Sequence, residues 1–359
     1  MIPMLEKFGL AFGPDTNAST DFTETIYQLE LPEVNDNIIN EAMFIMRETA
    51  SNLLLDEDAI DKERGVILAE KRARTSPGYH ASIARLSYFF KDTLLPKRIP
   101  IGKKNTIKTI TSQQFRAFYE GYYRPENTLI VLVGDFETDY AAEKIASHFK
   151  DWQAVGDPKP NYEIEKLGPK PSDVIYYTDP EITTSISLNV MAEPDLRLDT
   201  KENRQSFYIE ALGNRILSRR LSKIAQTTDA PFISAGASTS TAYEAVKISS
   251  VSLSVEPEQW ADALKAGEQE LRKAILYGFT RAELDEQLAN TRQSLKVSVE
   301  RAETRRTSGL ARQILGSVSN DNVMTSPAFN LEFFESYADS ITPERVHIAF
   351  KDNWTGYKE

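Results

Sequence analysis

Between residues 151 and 170 the hydrophobic periodicity of the chain stops. The segment DWQAVGDPKPNYEIEKLGPK holds three prolines and offers no face that a helix or strand could bury. The 359 residues therefore read as two folding units, each of which must build its own core. We expect a first domain over residues 1–155, a linker over 156–170 and a second domain over 171–359.

On both sides of that break, strands mix with long amphipathic helices. In the first half, residues 22–31 alternate as a strand until Pro32, and residues 127–135 (NTLIVLVGD) read as a buried strand. Helical spacing covers 37–55, 56–74, 79–95, 112–122 and 137–150. In the second half, strands are expected near 172–178, 183–192, 231–242 and 245–255. Helices are expected near 200–226, from Pro257 to Tyr277, and over 280–302, 304–318 and 342–351. The pattern predicts an α+β fold of two related units, each a mainly antiparallel sheet packed against helices. Met4–Gly9 reads as a helix entered midway, so an upstream segment is expected to be missing, and no signal-peptide pattern is visible.

Composition narrows the chemistry. With 42 basic and 53 acidic residues the formal charge is −11, which argues against nucleic acid or anionic membrane as partner. No apolar stretch reaches the ~20 residues that span a bilayer. The chain has no cysteine, hence no disulfide framework, thiol nucleophile or thiolate metal site. Its three histidines, His80, His148 and His347, form no local metal motif.

The helix at 56–74 carries two misplaced acids. At about 100° per residue, Ala59, Ile60, Val66, Ile67, Ala69 and Ala73 share one half of the wheel, and Asp61, Arg64, Lys71 and Arg72 the other. Glu63 and Glu70, seven apart, fall side by side within the apolar half. A buried carboxylate needs a cation, a metal or hydrogen-bond donors facing it. Periodicity alone leaves a second reading open, in which the stripe is narrower and both acids lie at its wet margin.

Four segments, in order, now point to one family. They are Phe12–Thr20 followed by Glu24-Thr25-Ile26-Tyr27; Glu63-Arg64-Gly65-Val66-Ile67-Leu68-Ala69-Glu70; Pro100-Ile101-Gly102 ahead of Ile107–Ile110; and Tyr122-Tyr123-Arg124-Pro125-Glu126-Asn127 running into Val133-Gly134-Asp135. Together they resemble the M16 metallopeptidases, the insulinase and pitrilysin family. The second half resembles the family's second, non-zinc domain by pattern. The resemblance implies two LuxS/MPP-like metallohydrolase domains and a zinc endopeptidase acting on peptides or unfolded polypeptides. It implies that Glu70 is the third Zn2+ ligand and Glu63 a supporting acid. It also implies that Asn17, Ala18 and Ser19 bind the peptide substrate by their backbone, as an added strand. Such enzymes commonly close two halves, or a subunit and its partner, around the peptide, and bacterial relatives are often periplasmic.

One departure is decisive for activity. The family's H-x-x-E-H motif, which supplies two histidine ligands and the general base, is nowhere in the sequence, and counting back from Glu70 by the family spacing passes Met1. We expect these residues alone to lack peptidase activity and to hold zinc weakly. The alternative is a non-catalytic M16-like scaffold or partner subunit. The loop Asp15-x-Asn17-x-Ser19-x-Asp21 superficially resembles a calcium loop, but Thr20 and Ile26 stand where the required glycine and bidentate acid belong.

Overall fold

The computed structural model describes residues 15–357, so Met4–Gly9 and the Phe12, Gly13 and Pro14 of the first motif lie outside the described residues. The chain forms two compact units. The first comprises residues up to Glu163 together with Arg306–Leu315, and the second comprises Ile164–Arg305 and the chain from Gly316 onward.

In the first unit, β1 (Thr16–Thr20) and β2 (Thr25–Leu29) form an antiparallel hairpin in which Thr16 faces Leu29 and Thr20 faces Thr25. Helix α1 (Asp36–Ser51) starts where Asn35 accepts the backbone N–H groups of Asn37 and Ile38. Its inner face buries Ile38, Ile39, Ala42, Met43 and Ile45, and Ile45 packs against Leu29 and Leu31 behind the hairpin. Helices α2 (Glu57–Arg74), α3 (Pro77–Phe89), α4 (Lys104–Thr109), α5 (Ser112–Tyr122) and α6 (Thr138–Phe149) follow. Helix α6 lies against α1, where Lys144 Nζ reaches Asp36 at 3.0 Å and Asn40 Oδ1 at 3.1 Å. The expected strand at 127–135 does not appear in a sheet among the described residues. Its residues have no ladder partner among the described residues, and Leu129 is 52% exposed.

The second unit is built on a three-stranded antiparallel sheet of order β3–β5–β4, with β3 at Ser185–Ala192, β4 at Ser234–Ala242 and β5 at Val246–Ser254. The central strand alternates as a half-buried strand should, with Ser249, Val251 and Leu253 inward. Helix α7 (Lys201–Ala225) crosses β4 and buries Leu212, Ile216, Leu217 and Leu221. Helices α8 (Trp260–Tyr277), α9 (Arg281–Glu300), α11 (Pro327–Ala338) and α12 (Pro343–Asn353) complete the unit, and α10 (Thr307–Ser319) belongs up to Leu315 to the first unit. At Gly213 a Cβ would stand 2.6 Å from the Phe350 ring, so glycine lets α12 press directly onto α7. The doublet Arg219-Arg220 clamps α7 to α9, through Glu286 at 2.8 Å and Glu283 at 2.6 Å. The expected strand at 172–178 has no ladder partner among the described residues, and Val174 and Tyr176 are 88% and 90% exposed. The α+β class of the two units holds. Two helices, α4 and α11, add to those the periodicity predicts.

Candidate functional site: helix α2 and the edge of β1

Helix α2 begins at Asp56, whose carboxylate accepts the Ala59 N–H at 3.1 Å, with Glu57 and Asp58 in its first turn and Lys71, Arg72 and Arg74 in its last. That charge order suits the helix dipole. The helix is fastened by its polar half. Arg64 donates from Nη1 to the Ile107 carbonyl at 2.6 Å and from Nη2 to that of Ile110, and Lys71 Nζ donates to the Gly102 carbonyl at 2.9 Å. The motif around Pro100–Ile110 is therefore the cradle for α2.

The apolar half is only partly covered among the described residues, with Ile60 and Ile67 half-buried. No residue of α2 is buried, Val66 is 56% exposed, and Ala59, Ala69 and Ala73 face solvent among the described residues. Glu63 is exposed on this face. Glu70 is part-exposed and meets Arg74 Nη2, one turn on, at 2.5 Å. An exposed i,i+4 pair contributes only about 0.3–0.5 kcal/mol, so Arg74 does not lock the carboxylate against a stronger partner.

The β1–β2 register shows what the hairpin edge offers. Glu30 N–H donates to the Asp15 carbonyl at 2.8 Å and Asp21 N–H to the Glu24 carbonyl at 2.9 Å. Hydrogen-bonded pairs alternate along an antiparallel ladder. Asn17 and Ser19 therefore bond inward to Gln28 and Ile26, while Thr16, Ala18 and Thr20 turn their N–H and C=O groups to the open edge. Asn17, Ala18 and Ser19 are all exposed. The Asn17 carboxamide oxygen accepts the outward Ala18 N–H at 2.8 Å, which occupies the group an added strand would use.

Tyrosines brace the hairpin from behind. The hydroxyls of Tyr27 and Tyr123 are 2.6 Å apart, the Tyr119 and Tyr123 rings lie 4.6 Å apart, and Tyr119 Oη donates to the Thr49 carbonyl at 2.7 Å. Burial pushes the Tyr119 hydroxyl up to about 12 and raises that of Tyr27 further, so both remain neutral hydrogen-bonding groups. Arg124 of the Tyr-Tyr-Arg-Pro motif is buried and structural. Its guanidinium meets Glu126 at 2.5 Å and donates to the Val155 and Gly156 carbonyls at 3.2 and 3.1 Å.

Among the described residues no three His, Asp or Glu side chains converge as a metal site. His148 Nδ1 lies 2.9 Å from the Lys144 carbonyl and His347 Nε2 lies 2.8 Å from that of Ile275, while His80 is exposed beside the Tyr79 ring. One carboxylate is short of the three protein ligands that catalytic zinc takes, so the described residues do not fit zinc on their own. No helix among the described residues is long and apolar enough to cross a membrane.

Comparison with known proteins agrees with this layout. The profile of the insulinase family, peptidase family M16, matches residues 1–94, and that of the peptidase M16 inactive domain matches residues 109–291, just over half of the chain. The chain is 26% identical over 368 residues to the probable zinc protease PqqL of Escherichia coli K12, covering 96% of this chain and 37% of that protein. It is 35% identical over 138 residues to the probable zinc protease PqqL of Haemophilus influenzae, covering 38% of this chain and 15% of the relative. The chain thus spans 37% of the length of the first of these relatives and 15% of the second. Its fold superimposes on the crystal structure of the first half of the periplasmic protease PqqL from Escherichia coli with a TM-score of 0.85 at 23% identity, covering 98% of this chain and 75% of that one. The ferredoxin protease FusC, solved as a mutant in complex with Arabidopsis ferredoxin, gives a TM-score of 0.79 at 19% identity, covering 98% of this chain and 39% of that one. With both profiles matched in order along one chain, the protein belongs to the M16 peptidase family.

Proposed function

We propose that these residues form the peptide-handling part of a zinc metalloendopeptidase of the periplasmic PqqL type. Glu70 serves as a zinc ligand, Glu63 supports it, and the histidine donors come from polypeptide outside the 359 residues. The observation that carries this reading is that Glu63 and Glu70, two turns apart on α2, share the face on which Val66, Ala69 and Ala73 are exposed, while Arg64 and Lys71 fasten the other side. The complete protein is a hydrolase of peptides or unfolded polypeptides. What this chain does by itself is hold an extended peptide on the outer edge of β1, through the backbone of Thr16, Ala18 and Thr20 beside the exposed Asn17, Ala18 and Ser19. A second M16 half or a partner subunit closes on the peptide.

Zinc content and hydrolysis of an unfolded peptide test the reading. The 359 residues alone show neither; the full gene product shows both. There Glu70→Gln abolishes both, and Glu63→Gln lowers them about 10–100-fold, as loss of an outer-shell partner does. A full product with no bound zinc favours the alternative, a non-catalytic M16 scaffold. The absence of H-x-x-E-H and the Glu70–Arg74 pair already fit that alternative. The peptide edge is tested separately. Thr20→Pro removes an outward N–H without touching the backbone ladder, so the hairpin persists and peptide affinity falls about tenfold. Unchanged affinity in a folded Thr20→Pro protein would remove β1 from the binding role.

A further inference from the structure

The sheet of the second unit has two edges, and the fold treats them differently. The Val255 N–H donates to the Thr184 carbonyl at 3.0 Å, which fixes the alternation along β3. Thr184, Ile186 and Leu188 bond inward to β5, and Ser185, Ser187 and Asn189 turn their N–H and C=O groups outward. On β4 the same alternation turns Ala237 outward, and there helix α7 closes the edge. Ser218 Oγ accepts the Ala237 N–H at 2.9 Å and donates to the Ala237 carbonyl at 3.2 Å. Among the described residues the outward backbone groups of Ser185, Ser187 and Asn189 have no such partner.

Nor does β3 protect itself. Its eight residues carry no charge, no proline and no bulge, the devices that keep an edge from pairing. On β1 the Asn17 side chain occupies an outward N–H. Asn189 instead is tied down on the sheet face, donating to Ser187 Oγ at 2.8 Å and accepting from Ser250 Oγ at 2.6 Å. Ser185, Ser187 and Asn189 are all exposed.

Register argues against two occupants. The exposed segment 172–178 reaches β3 through a turn at 179–182, closed by the Ile182 N–H on the Asp179 carbonyl at 3.4 Å. A regular hairpin grown from that turn would bond Thr184 and Ile186, the residues that β5 already holds. A second copy meets a charge conflict. The antiparallel register that pairs all three outward residues, Ser187 on Ser187, brings Glu193 against Glu181 of the second copy at both ends.

The same two acids define the partner that fits. Glu181 and Glu193 bracket the open stretch, both exposed and without an ion pair among the described residues. From the open edge and its acidic flanks we infer that β3 binds an extended peptide by strand addition, one with a short uncharged centre and basic residues on either side. The site lies within the second unit and does not rest on the zinc reading.

The probe is the peptide KKSVTVSKK, blocked at both ends, added to the 359-residue chain. The comparators are EESVTVSEE and a KKSVTVSKK N-methylated at its three central residues. The readout is hydrogen exchange of the Ser185, Ser187 and Asn189 amides by NMR. Saturating KKSVTVSKK slows all three at least tenfold and leaves the Ile186 and Leu188 amides unchanged. Each comparator binds about tenfold more weakly or worse. Glu181→Gln combined with Glu193→Gln weakens KKSVTVSKK about fivefold, and Ser187→Pro weakens it about tenfold. Should Ser187→Pro fail to fold, the N-methylated peptide, which leaves the protein unaltered, decides in its place. No slowing at the three amides, equal binding of the three peptides, or unaltered affinity in the double Gln variant overturns the inference. So does slow exchange of the three amides before any peptide is added, which would mean that the edge is already covered.

Discussion

The two units bury their apolar residues in different ways. The second closes one continuous core, in which Leu212, Leu217, Val251, Leu271, Ile341 and Phe350 are fully buried from the sheet, helices α7, α8 and α12 and the loop before α12. Among the described residues the first buries a row along α1, where Arg47 also stacks on the buried Trp152, and Leu95 further along the chain. Its helix α2 is held by hydrogen bonds to carbonyls, and on its apolar stripe Val66, Ala69 and Ala73 are exposed while Ile60 and Ile67 are half-buried. A core built by packing and a helix fixed by polar anchors respond differently to perturbation, because truncating a packed side chain leaves a cavity and truncating an exposed one leaves nothing.

The largest effect is expected at Phe350. Its ring fills the space opened by Gly213 and meets Phe279 edge-on at 5.2 Å. Phe350→Ala should destabilise the second unit by about 3–5 kcal/mol, measured by denaturant unfolding. Ile39→Ala in the first unit should fall near ~2 kcal/mol, the lower end for such changes, because its surroundings can relax. Equal losses at the two positions would erase the contrast.

The Arg220–Glu283 pair sharpens it by pH. Arg220 donates to both Glu283 carboxylate oxygens, at 2.6 and 2.8 Å, and Thr280 caps the same acid, so the Glu283 carboxyl is pulled down to about 2. A folded pKa below the unfolded one means the contribution is complete above the ordinary carboxylate range and is lost as pH falls from ~4.5 toward ~2. The second unit should therefore lose stability across that window. Arg220→Met should cost about 2 kcal/mol at neutral pH and flatten the acid limb. An acid limb of unchanged steepness in Arg220→Met would assign it to other carboxylates.

How much of this the sequence announces depends on whether an element carries its own signal. The helices with a full apolar stripe, α1 and α7, stand where their periodicity places them. So do β4 and β5, whose alternation faces one core. Residues 127–135 and 172–178 are apolar enough for strands, but a strand is defined by a partner, and none of the described residues pairs with them. Helix α11 is aromatic on several faces, Phe329, Phe333, Phe334 and Tyr337, which hides its period; its start, Ser326 capping the Phe329 N–H with Pro327 in the first turn, was the legible cue. At the candidate site the Glu63 and Glu70 spacing is legible, whereas the outward turn of Ala18 follows only from the ladder register.

The smallest expected effect is the most telling for α2. Val66 lies 56% exposed on the stripe that also carries Glu63 and Glu70. With so little area removed from water, Val66→Ser should change stability by less than about 0.5 kcal/mol in these residues. The measurement is differential denaturation against Val251→Ser in the buried sheet, which should lose several-fold more. A loss above ~1 kcal/mol at Val66 would show that the stripe is covered in solution. The two acids would then sit against a surface rather than in water, and the cation or donor facing them would be the next group to find.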